Sequence, residues 1–162
     1  MELKLRPALE RCQLFSGLGK EQMEAILPLC KQVSIEVGGV LFQEGEDSTA
    51  LYVLEEGKIA LEMPVKGRNG RPPQPRVVAT LGPGEALGWS AIVEPHLISF
   101  TARAVQPCTL VCIDGAALRK LMKSHRELGY EVMAGVAKLL AHRLDQTRQA
   151  LAYWLLSAVG AE

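Results

Sequence analysis

Between residues 31 and 113 the chain is a series of short apolar runs, each closed by a turn. Val33, Ile35 and Val37 alternate with polar neighbours, the period of a strand with one buried face. Gly38-Gly39 breaks that run, and residues 40–43 begin a second. Gly45-Glu46-Asp47-Ser48 turns into a third over 51–54, and Glu56-Gly57 into a fourth over 59–65. Residues 66–75 hold Gly67, Asn69, Gly70 and three prolines, which predicts an exposed hairpin loop. Residues 76–81 resume the pattern, Gly82-Pro83-Gly84 is a hard turn, and 100–105 with 109–113 complete the set. Many short strands with turns about every eight to twelve residues predict a sandwich or barrel. Closing the barrel also removes exposed strand edges.

The flanks have another period. Residues 1–30 read as short helices, with Leu14, Phe15 and Leu18, then Met23, Ile26, Leu27 and Cys30, at helical spacing. Gly17 and Gly19 mark the join. Asp114 is an N-cap before Ala116, Ala117, Leu118 and Leu121. Ser124 with Glu127 predicts a capping box that opens a second helix, running to about Ser157. Such a helix is on the order of 45–50 Å long. A compact domain of this size is about 40 Å across, so the helix should overhang it. Leu128, Val132, Val136, Leu139, Leu140, Leu144, Leu151 and Trp154 fill one half of its wheel. Glu131, Lys138, Asp145 and Gln149 fill the other. That apolar half is wide enough for the barrel and a second chain, so a homodimer through this helix is expected. The expected organisation is one domain over 1–162: helices to residue 30, barrel over 31–113, helices over 114–162.

Lys plus Arg number 18 and Asp plus Glu 18, giving a net charge of zero. A duplex-binding protein usually carries a basic excess, so direct nucleic-acid binding is not expected. No leader-like start and no apolar run of about 18 residues are visible, so no membrane association is expected and a cytoplasmic location is. Cys12, Cys30, Cys108 and Cys112 are expected to be reduced thiols. Cys108 and Cys112, four apart in a strand, should share a face as small core residues. His96, His125 and His142 form no H-x-H pair, and no nucleophile–base pair can be nominated. Neither a metal centre nor an enzyme is expected.

Four segments carry a resemblance: Gly38-x-x-Leu41-Phe42-x-Glu44-Gly45, Leu51-Tyr52-Val53-Leu54-x-Glu56-Gly57-Lys58, Gly82-x-Gly84-Glu85 and Thr101-Ala102-x-Ala104. Together they resemble the cyclic nucleotide-binding family, which includes the catabolite activator and FNR types of bacterial regulator. The likeness covers roughly residues 10–155. It implies a mainly β fold with flanking helices, a double-stranded β-helix (jelly-roll, cupin-like) barrel and a long C-terminal helix. It also implies a phosphate-binding cassette. Gly84, Glu85 and Ala86 match its start, opening a short helix that holds Trp89 and Ser90. Ser99 matches the small residue after the family's phosphate-binding arginine. The arginine position itself falls on Ile98, and in strand phase Arg103 lies beyond the pocket. An alkyl side chain cannot offset a buried phosphate, so tight cAMP or cGMP binding is not expected.

On the long helix, Arg143 and Thr147 resemble the segment that closes over the ligand. Arg143 lies in the apolar half and needs a partner, which the family layout makes Glu85. The Thr147 hydroxyl either faces the ligand or bonds back to the Arg143 carbonyl. Trp89 either lines the pocket or fills it. The expected role is a regulatory sensor module taking a small molecule or nucleotide in the barrel, with no cofactor assigned. The alternative is a dimeric scaffold that binds no ligand. Regulators of this family continue into a helix-turn-helix, which is not seen here up to Glu162, so action through a partner protein is expected.

Overall fold

A computed structural model of the chain describes residues 2–66 and 70–159. Among these residues, eight strands form two antiparallel four-stranded sheets. The first holds β1 (Cys30–Ile35), β3 (Ala50–Glu56), β6 (Ala86–Leu87) and β8 (Cys108–Asp114), in the order β1-β8-β3-β6. The second holds β2 (Val40–Phe42), β4 (Ile59–Val65), β5 (Gln74–Leu81) and β7 (Thr101–Ala104), in the order β2-β7-β4-β5. The chain crosses between sheets repeatedly, as a jelly roll requires.

Strand β8 shows why the two sheets stack. Cys108 and Leu110 face the second sheet and join Leu54, Ile59, Leu81 and Ala102 in a core between the sheets. Val111 and Ile113 face the other way, into a larger core with the helices. Buried on both faces, β8 is a near-continuous apolar run without clean alternation. Each such side chain fully buried contributes about 1.5–3 kcal/mol. Gly57 closes the β3–β4 turn at φ 97°, where a Cβ would strike the Cys108 sulfur and the Pro107 carbonyl.

The helices are α1 (Glu2–Arg11), α2 (Lys20–Ile26), α3 (Gly115–Ser124) and α4 (Arg126–Val159), with single 3-10 turns at Gln13–Phe15 and Leu27–Leu29. Leu9, Phe15 and Ile26 from the N-terminal part pack with Leu128, Val132 and Val136 of α4 against the outer face of the first sheet. Gly135 lets α4 touch the Gln13–Phe15 turn, because a Cβ there would land on the Leu14 carbonyl. The 34 residues of α4 span about 50 Å, so its far end overhangs the barrel. Val136 is 1% exposed, whereas Leu144, Leu151 and Trp154 are 61%, 59% and 72% exposed.

Several boundaries differ from the sequence reading. β1 stops at Ile35, and Val37 lies outside it, because Gly38 N–H already donates to the Ala104 carbonyl at 2.8 Å. Cys30 opens β1 and does not end a helix. β5 begins at Gln74 and includes Pro75, which an outermost strand tolerates because one of its edges needs no donor. The expected 66–75 loop is therefore shorter, and its residues 67–69 lie outside the described residues. β7 is limited to Thr101–Ala104. Asp114 does cap α3, its Oδ1 accepting from Ala117 N–H at 2.7 Å. The capping box at Ser124 does not form. Ser124 is the last residue of α3, and its hydroxyl donates to the Leu121 carbonyl at 3.0 Å.

Candidate functional site

The segment after β5 builds one wall of the site. Gly84 N–H donates to the Leu54 carbonyl at 2.8 Å, and Leu54 N–H donates to the Glu85 carbonyl at 2.9 Å. These bonds tie the segment to β3, so Gly84-Glu85 leads into strand β6 and does not open a helix as expected. The helical part is shorter and later, a 3-10 turn at Trp89–Ala91 that follows Gly88 at φ 76°.

This turn is held by groups the sequence reading did not nominate. His96 Nδ1 lies 2.7 Å from the Ser90 carbonyl, so it carries the proton. The Arg119 guanidinium on α3 donates to the Ala91 carbonyl. The Ser48 hydroxyl donates to the Gly88 carbonyl at 3.4 Å. All three partners are backbone oxygens, which every residue possesses, so no side-chain pattern advertises them. The φ of 60° at His96 is a backbone fact with no side-chain signature.

Between this wall, the β4–β5 hairpin and α4 lies a partly open cavity of about 940 Å³. Ala86, Trp89, Ser90, Ile98, Ser99, Arg143 and Thr147 line it. Gly84 and Glu85 are not part of its lining. Trp89 packs partly against the helical core and leaves the cavity open, so it lines the space and does not fill it. Phe42, Phe100 and Trp154 add aromatic surface that the sequence reading did not assign to a site.

Ile98 is 6% exposed and fixed on both sides: its N–H donates to the Glu46 carbonyl and its carbonyl accepts from Gly45 N–H, both at 2.9 Å. No slip of register can exchange it for a neighbour. Arg103 is turned away, binding Glu62 at 3.2 Å and the Gly38 carbonyl at 3.0 Å.

Arg143 does reach Glu85, with Nη2 to Oε1 at 3.0 Å. The other Glu85 oxygen accepts from Gly82 N–H at 2.8 Å. Arg143 also extends Nη1 towards Gln146 Oε1 at 3.4 Å. A charge on the apolar side of α4 thereby meets a carboxylate held by the turn before β6. The Thr147 hydroxyl donates to the Arg143 carbonyl at 2.9 Å, so its proton is used within the helix.

The thiols are quiet. Burial pushes Cys12 to about 11 and Cys30 to about 12, and raises Cys112 as well. Tyr52, buried beside Cys112, is pushed to about 12. All four groups are therefore protonated near neutral pH. Cys108 and Cys112 are both buried, as their shared strand face implied. No cluster of three or more metal-ligating side chains occurs among the described residues. No described helix is long and apolar enough to cross a membrane.

Two stacked four-stranded sheets, a glycine-led turn and a long helix along one side of a partly open cavity define a jelly-roll domain with a ligand-sized cavity. The chain belongs to the cyclic nucleotide-binding domain family, which matches residues 32–125. It is similar to a candidate potassium channel protein of Rhodopseudomonas palustris, 33% identical over 112 residues, 69% of this chain and 26% of the relative. It is also similar to the CRP-like cAMP-activated global transcriptional regulator of Mycobacterium tuberculosis, 25% identical over 144 residues, 89% of this chain and 60% of the relative. Thus the chain spans about a quarter and three fifths of these relatives' lengths. In fold it resembles a cyclic nucleotide-binding domain from Methylobacillus flagellatus, with a TM-score of 0.78 at 16% identity, over 93% of this chain and 82% of the other.

Proposed function

We propose that this chain is a ligand-responsive sensor module whose long helix passes on the occupancy of the cavity. The observation that carries this reading is the placement of Arg143. It sits on α4, lines the cavity and grips Glu85 in the turn before β6, next to the lining. A molecule entering the cavity meets Arg143, which joins α4 to the turn before β6. Movement of α4 then requires only that the ligand bind two arrangements of this joint unequally. The proposed binding residues are Ala86, Trp89, Ser90, Ile98, Ser99, Arg143 and Thr147, with Glu85 and Gly84 in the supporting wall. Output runs through a second copy of the chain, or a partner protein, on the exposed end of α4. The Mycobacterium tuberculosis relative, named as a cAMP-activated regulator, supports the sensor role. Free thiols fit a reducing, cytoplasmic setting.

A second reading, a dimeric scaffold without a ligand, is favoured by Ile98 alone. The size of the cavity favours the sensor. The test is a thermal-shift screen of cyclic nucleotides, other nucleotides and neutral organic molecules, repeated with Ile98→Arg. A true ligand at one hundred times its Kd adds about 2.7 kcal/mol of stability. Ile98→Arg is expected to raise affinity for cAMP at least about tenfold, or 1.4 kcal/mol, by supplying the missing guanidinium. No gain in the variant, together with a flat screen of the unaltered chain, would transfer the assignment to the scaffold.

A further inference from the structure

Resting on the reading of the cavity as a ligand site, we infer that its ligand is an uncharged, largely apolar ring compound and not a cyclic nucleotide or other small anion. The first argument is charge. Among the described residues lining the cavity, Arg143 is the one with a charged side chain, and Glu85 already balances it at 3.0 Å. An anion would have to remain unpaired or draw Arg143 away from Glu85. The first course costs several kcal/mol of desolvation. The second leaves Glu85 with the Gly82 N–H as its remaining partner. A neutral molecule incurs neither cost.

The second argument is that no other cation can be recruited from the cassette. Ile98 is held by backbone bonds on both sides, and Arg103 is engaged with Glu62 and the Gly38 carbonyl. The third is shape and surface. About 940 Å³ falls within the range of small-molecule sites. Phe42, Trp89, Phe100 and Trp154 offer ring faces and edges, the geometry that favours offset or edge-to-face packing against another ring. The Ser99 hydroxyl, the Gln146 amide nitrogen and the Gln149 amide oxygen, beside the bonds of Gln146 Oε1 to Arg143 and Gln149 Nε2 to Asp145, are suited to orient one or two hydrogen-bonding groups on such a molecule.

The test uses the full chain and the neutral fluorescent amine N-phenyl-1-naphthylamine, with cAMP and inorganic phosphate as anionic arms. The dye is expected to saturate one site per chain in the micromolar range, and millimolar cAMP or phosphate should neither displace it nor raise Tm. Ser99→Trp, at an exposed position on the cavity wall, should weaken dye binding at least about tenfold. Leu156→Glu, on the far end of α4 and outside the cavity lining, should leave it unchanged. Dye binding abolished by Leu156→Glu but not by Ser99→Trp would put the dye on the helix end and overturn the inference. A Tm rise with cAMP and no dye binding would also overturn it, while leaving the sensor reading intact. If neither binds, the inference falls, and the sensor reading is decided by the wider thermal-shift screen with Ile98→Arg.

Discussion

Cys12 and Cys30 are held in surroundings that keep the proton on sulfur, and this couples their chemistry to stability. An unfolded thiol of ordinary pKa near 9 loses its proton first as pH rises, while the folded thiols hold theirs to about 11 and 12. The unfolded state then binds fewer protons, so stability is complete below pH 9 and declines as pH climbs toward 12. The decline is at most about 1.4 kcal/mol per pH unit for each thiol. Urea midpoints measured from pH 7 to 10.5 should fall above pH 9, and Cys30→Ala should flatten that fall. A fall of equal slope in the variant would exclude Cys30 as a source. At this scale the sequence was legible where a residue's need was one-sided. Arg143 on an apolar helix face required an acid, and Glu85 was found. The resemblance put Ile98 at the arginine position, and its side chain does line the cavity. His96, Arg119 and Ser48 were not readable, since a backbone carbonyl leaves no mark on the sequence.

The decisive element is the short β6 with the 3-10 turn behind it. The family resemblance implied a helix starting at Gly84, but the peptide groups of Gly84 and Glu85 are both used by Leu54. Pairing across the sheet outweighed a local turn preference, and such long-range pairing is invisible to local pattern. The strands themselves were legible from alternation and turns. Their ends were not, because the bond that ends β1 joins Gly38 to Ala104, far along the sequence, and the Arg103 guanidinium reaches the Gly38 carbonyl across 65 positions. The joint between this element and α4 can be measured. Arg143 and Glu85 have side chains 20% and 37% exposed, so their coupling is discounted for screening to about 1 kcal/mol or less. A double-mutant cycle with Arg143→Met and Glu85→Gln should return that value. Hydrogen exchange in Arg143→Met should quicken around residues 140–147 and leave β8 unchanged. Equal protection of both segments in the variant and the parent would show that the pair does not tether α4.

At the scale of the whole molecule, apolar surface is unevenly placed. Leu144, Leu151, Tyr153, Trp154, Leu155 and Leu156 are each more than half exposed, and all lie beyond the last fully buried turn of α4. A patch of this kind on an overhanging helix fits association with another copy. Sedimentation equilibrium should show a dimer for the chain and a monomer for Leu155→Glu/Leu156→Glu, with Tm little changed in the monomer because neither side chain joins the core. A dimer that survives both charges would place the interface elsewhere. The close approach at Gly135 has a mechanical consequence. Were α4 to pivot, this contact would be its fulcrum: α4 touches the Gln13–Phe15 turn there, and about 36 Å of helix extends past it to Val159. A pivot of about 10° at that point swings the tip by about 6 Å, slightly more than one turn of helix pitch. The cavity lies along the arm beyond that contact, so under the proposed sensor role a displacement there of one or two ångströms would arrive at the tip enlarged. A side chain at residue 135 would push the helix off the Leu14 carbonyl, and on that reading would blunt the gain without touching either the cavity or the tip.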